Sequence, residues 1–146
     1  MLKRASWCAA LLSGLAACAA GTAPKEPTAT LENTYWRLLD VGGVVIPVVD
    51  GQREPHFVLH RTRAGIAGYT GCARLDGRYT LSGNGITLRA DVLSAASCST
   101  EAASRQQALM LDAMSHTVRW RIEGERLSLL DGNGGVLSRF ESVYLR

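Results

Sequence analysis

From Asn33 onward the apolar residues come in short bursts, each closed by a glycine turn, and this punctuation restricts the fold more than any other feature. Tyr35-Trp36-Arg37-Leu38-Leu39-Asp40-Val41 runs into Gly42-Gly43, a hairpin signal, and residues 44–49 follow as a second strand. Pro47 puts that strand at an edge or breaks it there, because proline has no N–H to give to a sheet ladder. Asp50-Gly51 marks the next turn. In residues 56–60, His56, Val58 and His60 alternate with Phe57 and Leu59. A period of two therefore sends Phe57 and Leu59 to the core and both histidines to the more solvated face. Residues 66–69, 78–81 and 86–89 read as further strands, the last two joined by Gly83-Asn84-Gly85.

One helix interrupts the series, over residues 101–114. Ser99 or Thr100 can cap it and Glu101 suits its first turn. Gln106, Leu109, Met110, Ala113 and Met114 recur at helical spacing, giving a stripe to pack on the sheet, with methionine as core filler. Strands then resume. Val118, Trp120 and Ile122 alternate with Arg119, Arg121 and Glu123, and Gly124-Glu125 turns into residues 127–130. The loop Asp131-Gly132-Asn133-Gly134-Gly135 leads to a last strand over 136–140. Many short strands with one late helix predict an α+β fold, mostly antiparallel β: a curled or small barrel-like sheet covered by one α-helix.

The N-terminal end carries different information. Lys3 and Arg4 precede a short apolar run over residues 5–14, and Ala16-Ala17 are the small residues of a cleavage site. The run is too short to span a bilayer, which takes about 20 residues. Leu15-Ala16-Ala17-Cys18 resembles the lipobox of bacterial lipoproteins, in which the cysteine is lipidated, palmitate being a usual acyl group. The resemblance implies a signal peptide over 1–17, a lipidated Cys18, and a location in the cell envelope. Ala19, rather than an acidic residue, follows Cys18, which by resemblance to enteric lipoproteins favours the outer membrane, facing the periplasm. Residues 19–30, with Pro24 and Pro27 and no apolar periodicity, read as a tether of roughly 40 Å at full extension. The organisation expected is thus a signal at 1–17, lipidated cysteine and tether at 18–31, and one domain at 32–146.

Cysteine counting fits an oxidising compartment. Cys8 leaves with the signal and Cys18 would carry lipid, so Cys72 and Cys98 remain. An even pair in an exported domain reads as a disulfide, with two separately buried thiols as the alternative. Metal binding is not expected, since two cysteines are too few ligands and no histidine or carboxylate is spaced to complete a set. The net charge is +3, or +1 once Lys3 and Arg4 are removed. The arginines are scattered along the chain, so no basic patch supports a nucleic-acid partner.

With these pieces in order, the chain resembles the META domain, the family of the heat-shock lipoprotein HslJ. The residues that carry the likeness are Trp36 with Leu38 and Leu39, Gly68-Tyr69-Thr70-Gly71-Cys72, Ser94-Ala95-Ala96-Ser97-Cys98, the helix with Leu109-Met110, and Leu127-Ser128-Leu129 followed by Asp131 and Gly135. It covers about residues 31–140. Two departures stand out. Ala73 holds a position where the family usually has asparagine, and the family's Thr-x-Met-Ala-Cys segment is diluted to Ser94-Ala95-Ala96-Ser97-Cys98. A role carried by the asparagine amide, which tolerates left-handed backbone and bonds neighbouring backbone groups, is absent here.

A search for chemistry finds little. Nucleophilic catalysis needs a nucleophile, a base and an orienting group together. The histidines are His56, His60 and His116; the first two stand about 13 Å apart on one strand, too far to share a metal. His116 follows the helix, where an imidazolium suits the dipole. Asp40, Asp50, Asp76 and Asp131 each lie near a glycine at a turn, where aspartate is expected anyway. No Gly-x-Ser-x-Gly elbow or phosphate-binding glycine loop is present. The expectation is a protein without catalytic residues or cofactor. Its partners would be the membrane, through Cys18, and an envelope protein or lipid-like ligand, with the domain a monomer. By resemblance to HslJ the role would be outer-membrane integrity, stress response or antibiotic tolerance. The alternatives are a pilotin-like chaperone for a secretin subunit, binding a peptide along a strand edge, and an inhibitor of a periplasmic hydrolase acting through a loop such as residues 51–55.

Overall fold

The computed structural model describes residues 26–93 and 98–144. Nine strands and one helix follow each other as β1 (Tyr35–Val41), β2 (Val44–Val45), β3 (His56–His60), β4 (Gly65–Tyr69), β5 (Arg74–Ser82), β6 (Gly85–Val92), α1 (Glu101–His116), β7 (Arg119–Glu123), β8 (Arg126–Leu130) and β9 (Val136–Val143). A 3₁₀ turn, Arg61–Arg63, joins β3 to β4. All neighbours are antiparallel, in the order β2-β1-β3-β4-β5-β6-β7-β8-β9, and β9 pairs back onto β1. The sheet therefore curls into a ring. The ring is not a fully bonded barrel: β6 and β7 meet through the single pair Gly85↔Arg119, where the chain detours through α1. Helix α1 packs on β6, β9 and β1 and covers the interior.

The period of two fills that interior. Trp36 and Leu38 of β1, Phe57 and Leu59 of β3, Ile66 of β4, Leu75 and Tyr79 of β5, Ile86 and Leu88 of β6, Leu127 and Leu129 of β8 and Phe140 of β9 are all buried in one cluster. Phe57 and Phe140 meet edge to face with ring centroids 4.8 Å apart, which adds to their area burial. The indole of Trp36 is fully buried and donates Nε1–H to the Leu31 carbonyl at 2.9 Å, so its one polar atom is satisfied. Every residue of this cluster lies between Leu31 and Phe140, so the domain supplies its own core.

Several local expectations need correction. The second strand ends at Val45, not at residue 49; the Ile46 N–H still bonds the Leu39 carbonyl, but Pro47 cannot continue the ladder. Strands β5, β6 and β9 are longer than their apolar runs, because pairing extends through polar positions. Leu109 lies off the packed stripe of α1 and is 40% exposed. The buried positions are Met110, Ala113 and Met114, with Leu111 at the margin of the core. Thr100 is the cap: its hydroxyl accepts the Ala103 N–H at 3.1 Å. Residues 26–31, read as the end of the tether, lie along the domain. Thr28 N–H bonds Gly124 O, Gly124 N–H bonds Glu26 O, and Leu31 joins the core.

Candidate functional site

The residues singled out by the sequence gather most closely at the corner where the β4–β5 turn meets the start of α1. Cys72 and Cys98 are joined there by a disulfide with a Cα–Cα distance of 5.2 Å. Cys18 and the segment 94–97 lie outside the described residues. The bridge ties residues 26 positions apart and fixes the turn against the residues leading to the helix.

The turn itself is built around Thr70, which is fully buried. Its hydroxyl accepts the N–H groups of Cys72 at 3.3 Å and Ala73 at 3.0 Å, and donates to Gln107 Oε1 at 2.8 Å. The Thr70 carbonyl accepts Nε2–H of Gln106 at 3.1 Å, and the Thr70 N–H bonds the Ala73 carbonyl at 2.9 Å. Gln106 and Gln107, from the first turns of α1, thus hold the strand turn as polar clamps. Gly71 has φ +92°, and a Cβ there would come within 2.3 Å of Gln106 Nε2. Glycine is needed both for the left-handed backbone and for the space.

This arrangement explains how Ala73 is tolerated. The left-handed position is Gly71, and the side chain bonding the local backbone is Thr70. Ala73 contributes only its N–H and C=O and is otherwise buried. A cleft of about 240 Å³ opens beside this corner, between Val49, Arg53 and Pro55 on one side and Gly71, Ala103 and Gln106 on the other. Arg53 lies over the Tyr69 ring, 5.5 Å from its centroid. The 51–55 loop projects less than expected, since Pro55 is buried and Glu54 is half-buried, leaving Gly51, Gln52 and Arg53 exposed.

The histidines separate into distinct environments. His56 does point away from Phe57, but it is buried rather than solvated. It stacks on Tyr35 of the neighbouring strand at 4.2 Å between ring centroids, and Nδ1–H donates to the Glu54 carbonyl at 2.9 Å. Burial pushes its pKa below the usual value against the opposing pull of that carbonyl, so the neutral ring is favoured. Burial, with the Glu54 carboxylate beside it, pushes the Tyr35 phenol up to about 12. His60 is half-buried on the same outer face. His116 is the last residue of α1 rather than the first beyond it, with Nδ1 2.9 Å from the Asp112 carbonyl.

Asp131 serves a turn and Asp40 an ion pair, whereas Asp76, expected at a turn, stands within β5. Asp131 Oδ1 accepts the N–H groups of Asn133 and Gly135, each at 2.8 Å, and Asp40 pairs with Arg139 across β1 and β9. A carboxylate the sequence did not single out, Glu32, accepts hydrogen bonds from the Tyr79 hydroxyl and from Arg61 Nε, and both hold its carboxyl below the usual range. Among the described residues no cluster of three or more histidine, cysteine, aspartate or glutamate side chains has metal-ligand geometry. No described helix is long and apolar enough to cross a membrane.

Comparison with solved structures shows the same fold elsewhere. A protein from Burkholderia xenovorans solved by NMR is similar over 92% of this chain and 100% of its own, with 20% identity and a TM-score of 0.65. A second NMR structure matches over 76% of this chain and 91% of its own, at 17% identity and a TM-score of 0.58. The crystal structure of a DUF4847 family protein from Bacteroides vulgatus ATCC 8482 matches over 80% and 96%, at 7% identity and a TM-score of 0.56. At these identities the likeness concerns the fold alone. No curated protein sequence matches the chain. The family model of the META domain matches residues 29–144, the whole of the ring and its helix, and the chain belongs to the META domain family.

Proposed function

We propose that this protein is a non-catalytic lipoprotein of the cell envelope, anchored through an acylated Cys18 and similar to HslJ in its role in outer-membrane integrity, stress or antibiotic tolerance. The observation that supports this reading most is the Cys72–Cys98 disulfide. Such bonds persist in oxidising compartments, so the bridge agrees with the export address Leu15-Ala16-Ala17-Cys18 on independent grounds. The stapled corner gives the domain a rigid face, and its polar groups are spent on holding the turn rather than on activating a nucleophile.

Fractionation of the host envelope tests the reading. The wild-type protein should appear with the outer membrane, and Cys18→Ser should leave that fraction. A deletion strain should become more sensitive to detergent or to a large antibiotic and be restored by the wild type but not by Cys18→Ser. Equal membrane retention of Cys18→Ser, or full rescue by it, would contradict the proposal.

One observation favours a second reading, the pilotin-like chaperone. Val44 and Val45 are exposed on β2, the end strand of the sheet order, with Val48 and Val49 exposed in the segment that follows, and an extended peptide could add a strand there. That reading requires secretin mislocalisation on deletion. Secretin assembly unaffected by the deletion would dismiss it.

A further inference from the structure

Three arginines far apart in sequence form a row on the outer face of the sheet. Gly65 of β4 is the register partner of Arg78 on β5, and Arg78 is the partner of Arg89 on β6. Arg63, in the 3₁₀ turn, folds back over Gly65: a Cβ at that glycine would lie 2.7 Å from Arg63 Nε. Adjacent strands are about 4.8 Å apart, so the three guanidinium stems stand side by side across three strands. Like charges directly opposite each other destabilise a sheet. Five other described arginines are paired with carboxylates: Arg37 with Glu141, Arg61 with Glu32, Arg105 with Glu101, Arg121 with Glu123 and Arg139 with Asp40. Arg63, Arg78 and Arg89 form no such pair among the described residues.

These side chains line one depression of about 460 Å³, with Gly65 and Gly77 as its floor and Asp76 in its wall. Gly77 has a structural reason of its own, since a Cβ there would strike the Arg89 carbonyl at 2.2 Å. We infer that this depression is a binding site for a phosphate ester of a small polyol, with Arg63, Arg78 and Arg89 on the phosphate and Asp76 accepting a hydroxyl. Guanidinium groups match phosphate oxygens in paired, charge-assisted hydrogen bonds, and the negative charge of the phosphate offsets the like charges that strain the row. The volume exceeds what a bare phosphate fills and falls within the range of small-ligand sites. One carboxylate in a cationic cleft disfavours a plain anion and favours a ligand that brings its own hydroxyl donors. Free glycerol phosphate and the headgroup of phosphatidylglycerol share this chemistry.

The test uses the oxidised chain from residue 19 onward, which retains the complete core. Titration with glycerol 3-phosphate should shift the side-chain Nε–H resonances of Arg63, Arg78 and Arg89 and raise the melting temperature by mass action. Arg78→Gln should weaken binding by about tenfold or more, the usual cost of losing a charged hydrogen bond, while leaving the free domain as stable as before or slightly more so. Arg121→Gln, outside the row, should bind as the wild type does. Asp76→Asn should shrink the preference for glycerol 3-phosphate over inorganic phosphate. Co-sedimentation then separates the sources. Pelleting with phosphatidylglycerol vesicles but not phosphatidylcholine vesicles, lost in Arg78→Gln, assigns the lipid headgroup. Binding of the soluble ester without vesicle binding assigns the free ester. Absence of both, or binding unchanged in Arg78→Gln, overturns the site. None of these outcomes depends on acylation of Cys18.

Discussion

Replacing both Cys72 and Cys98 by alanine isolates what the staple contributes. Closing a loop of 26 residues removes enough freedom from the unfolded chain to stabilise the fold by about 3.5 kcal/mol in the chain-entropy treatment. Both cysteines are only half-buried, so the lost side-chain volume adds little beyond this. For a domain of this size 1 kcal/mol corresponds to about 4 °C, so the melting temperature should fall by about 14 °C. Calorimetry of the wild type with and without reductant, alongside the double variant, measures this directly. Reduced wild type and double variant should melt together, well below the oxidised protein. Hydrogen exchange adds a spatial check. Without the bridge the Ala73 and Ala103 amides should lose protection first, since one lies in the turn and the other in the first turn of α1. The core amide of Phe57 should follow only global unfolding. A shift below about 3 °C would show that the bridge adds little and that the Thr70 contacts alone hold the turn to the helix.

Thr70→Val keeps the shape of the turn but removes the hydroxyl that serves Cys72, Ala73 and Gln107, and should cost about 1–3 kcal/mol in urea denaturation. Trp36→Ala should cost about 3–5 kcal/mol by the same assay, since it empties a fully buried site at the centre of the ring. The pH dependence follows from His56. Its folded pKa lies below the unfolded value near 6.5, so the unfolded chain binds the proton more readily. The stability it contributes is complete above about pH 6.5 and is lost as pH falls through the folded pKa. His56→Gln should flatten the stability profile on the acidic side of neutrality, and an unchanged slope would contradict the burial of this ring.

The local elements were legible because their signals are local. Alternation with a period of two places Phe57 and Leu59 inward, glycine turns mark the hairpins, and Ser99 or Thr100 with Glu101 marks the helix start. What the sequence did not reveal depends on register between distant strands. Tyr35 pairs with Val143 to close the ring, and nothing near either residue announces the other. His56 occupies the face its alternation predicts, yet Tyr35 from the neighbouring strand and the Glu54 carbonyl enclose it. Leu109 fits the stripe as well as Leu111 does, because several phases of a 3.6-residue period suit the same apolar residues, and only contact with the sheet selects Leu111. The Thr70 clamp was invisible because a lone threonine before a glycine has many uses. The arginine row was hidden for the same reason as the ring closure: residues 63, 78 and 89 look scattered until two register pairings set them side by side.

Intact mass analysis of the protein extracted from membranes reads both the acyl anchor on Cys18 and the Cys72–Cys98 staple at once. The extracted chain should begin at Cys18, heavier by its acyl groups and lighter by two hydrogens than its fully reduced form. A membrane protein that still begins at Met1, or a mature chain without acyl mass, would contradict the anchor. A mass unchanged by reduction would contradict the staple.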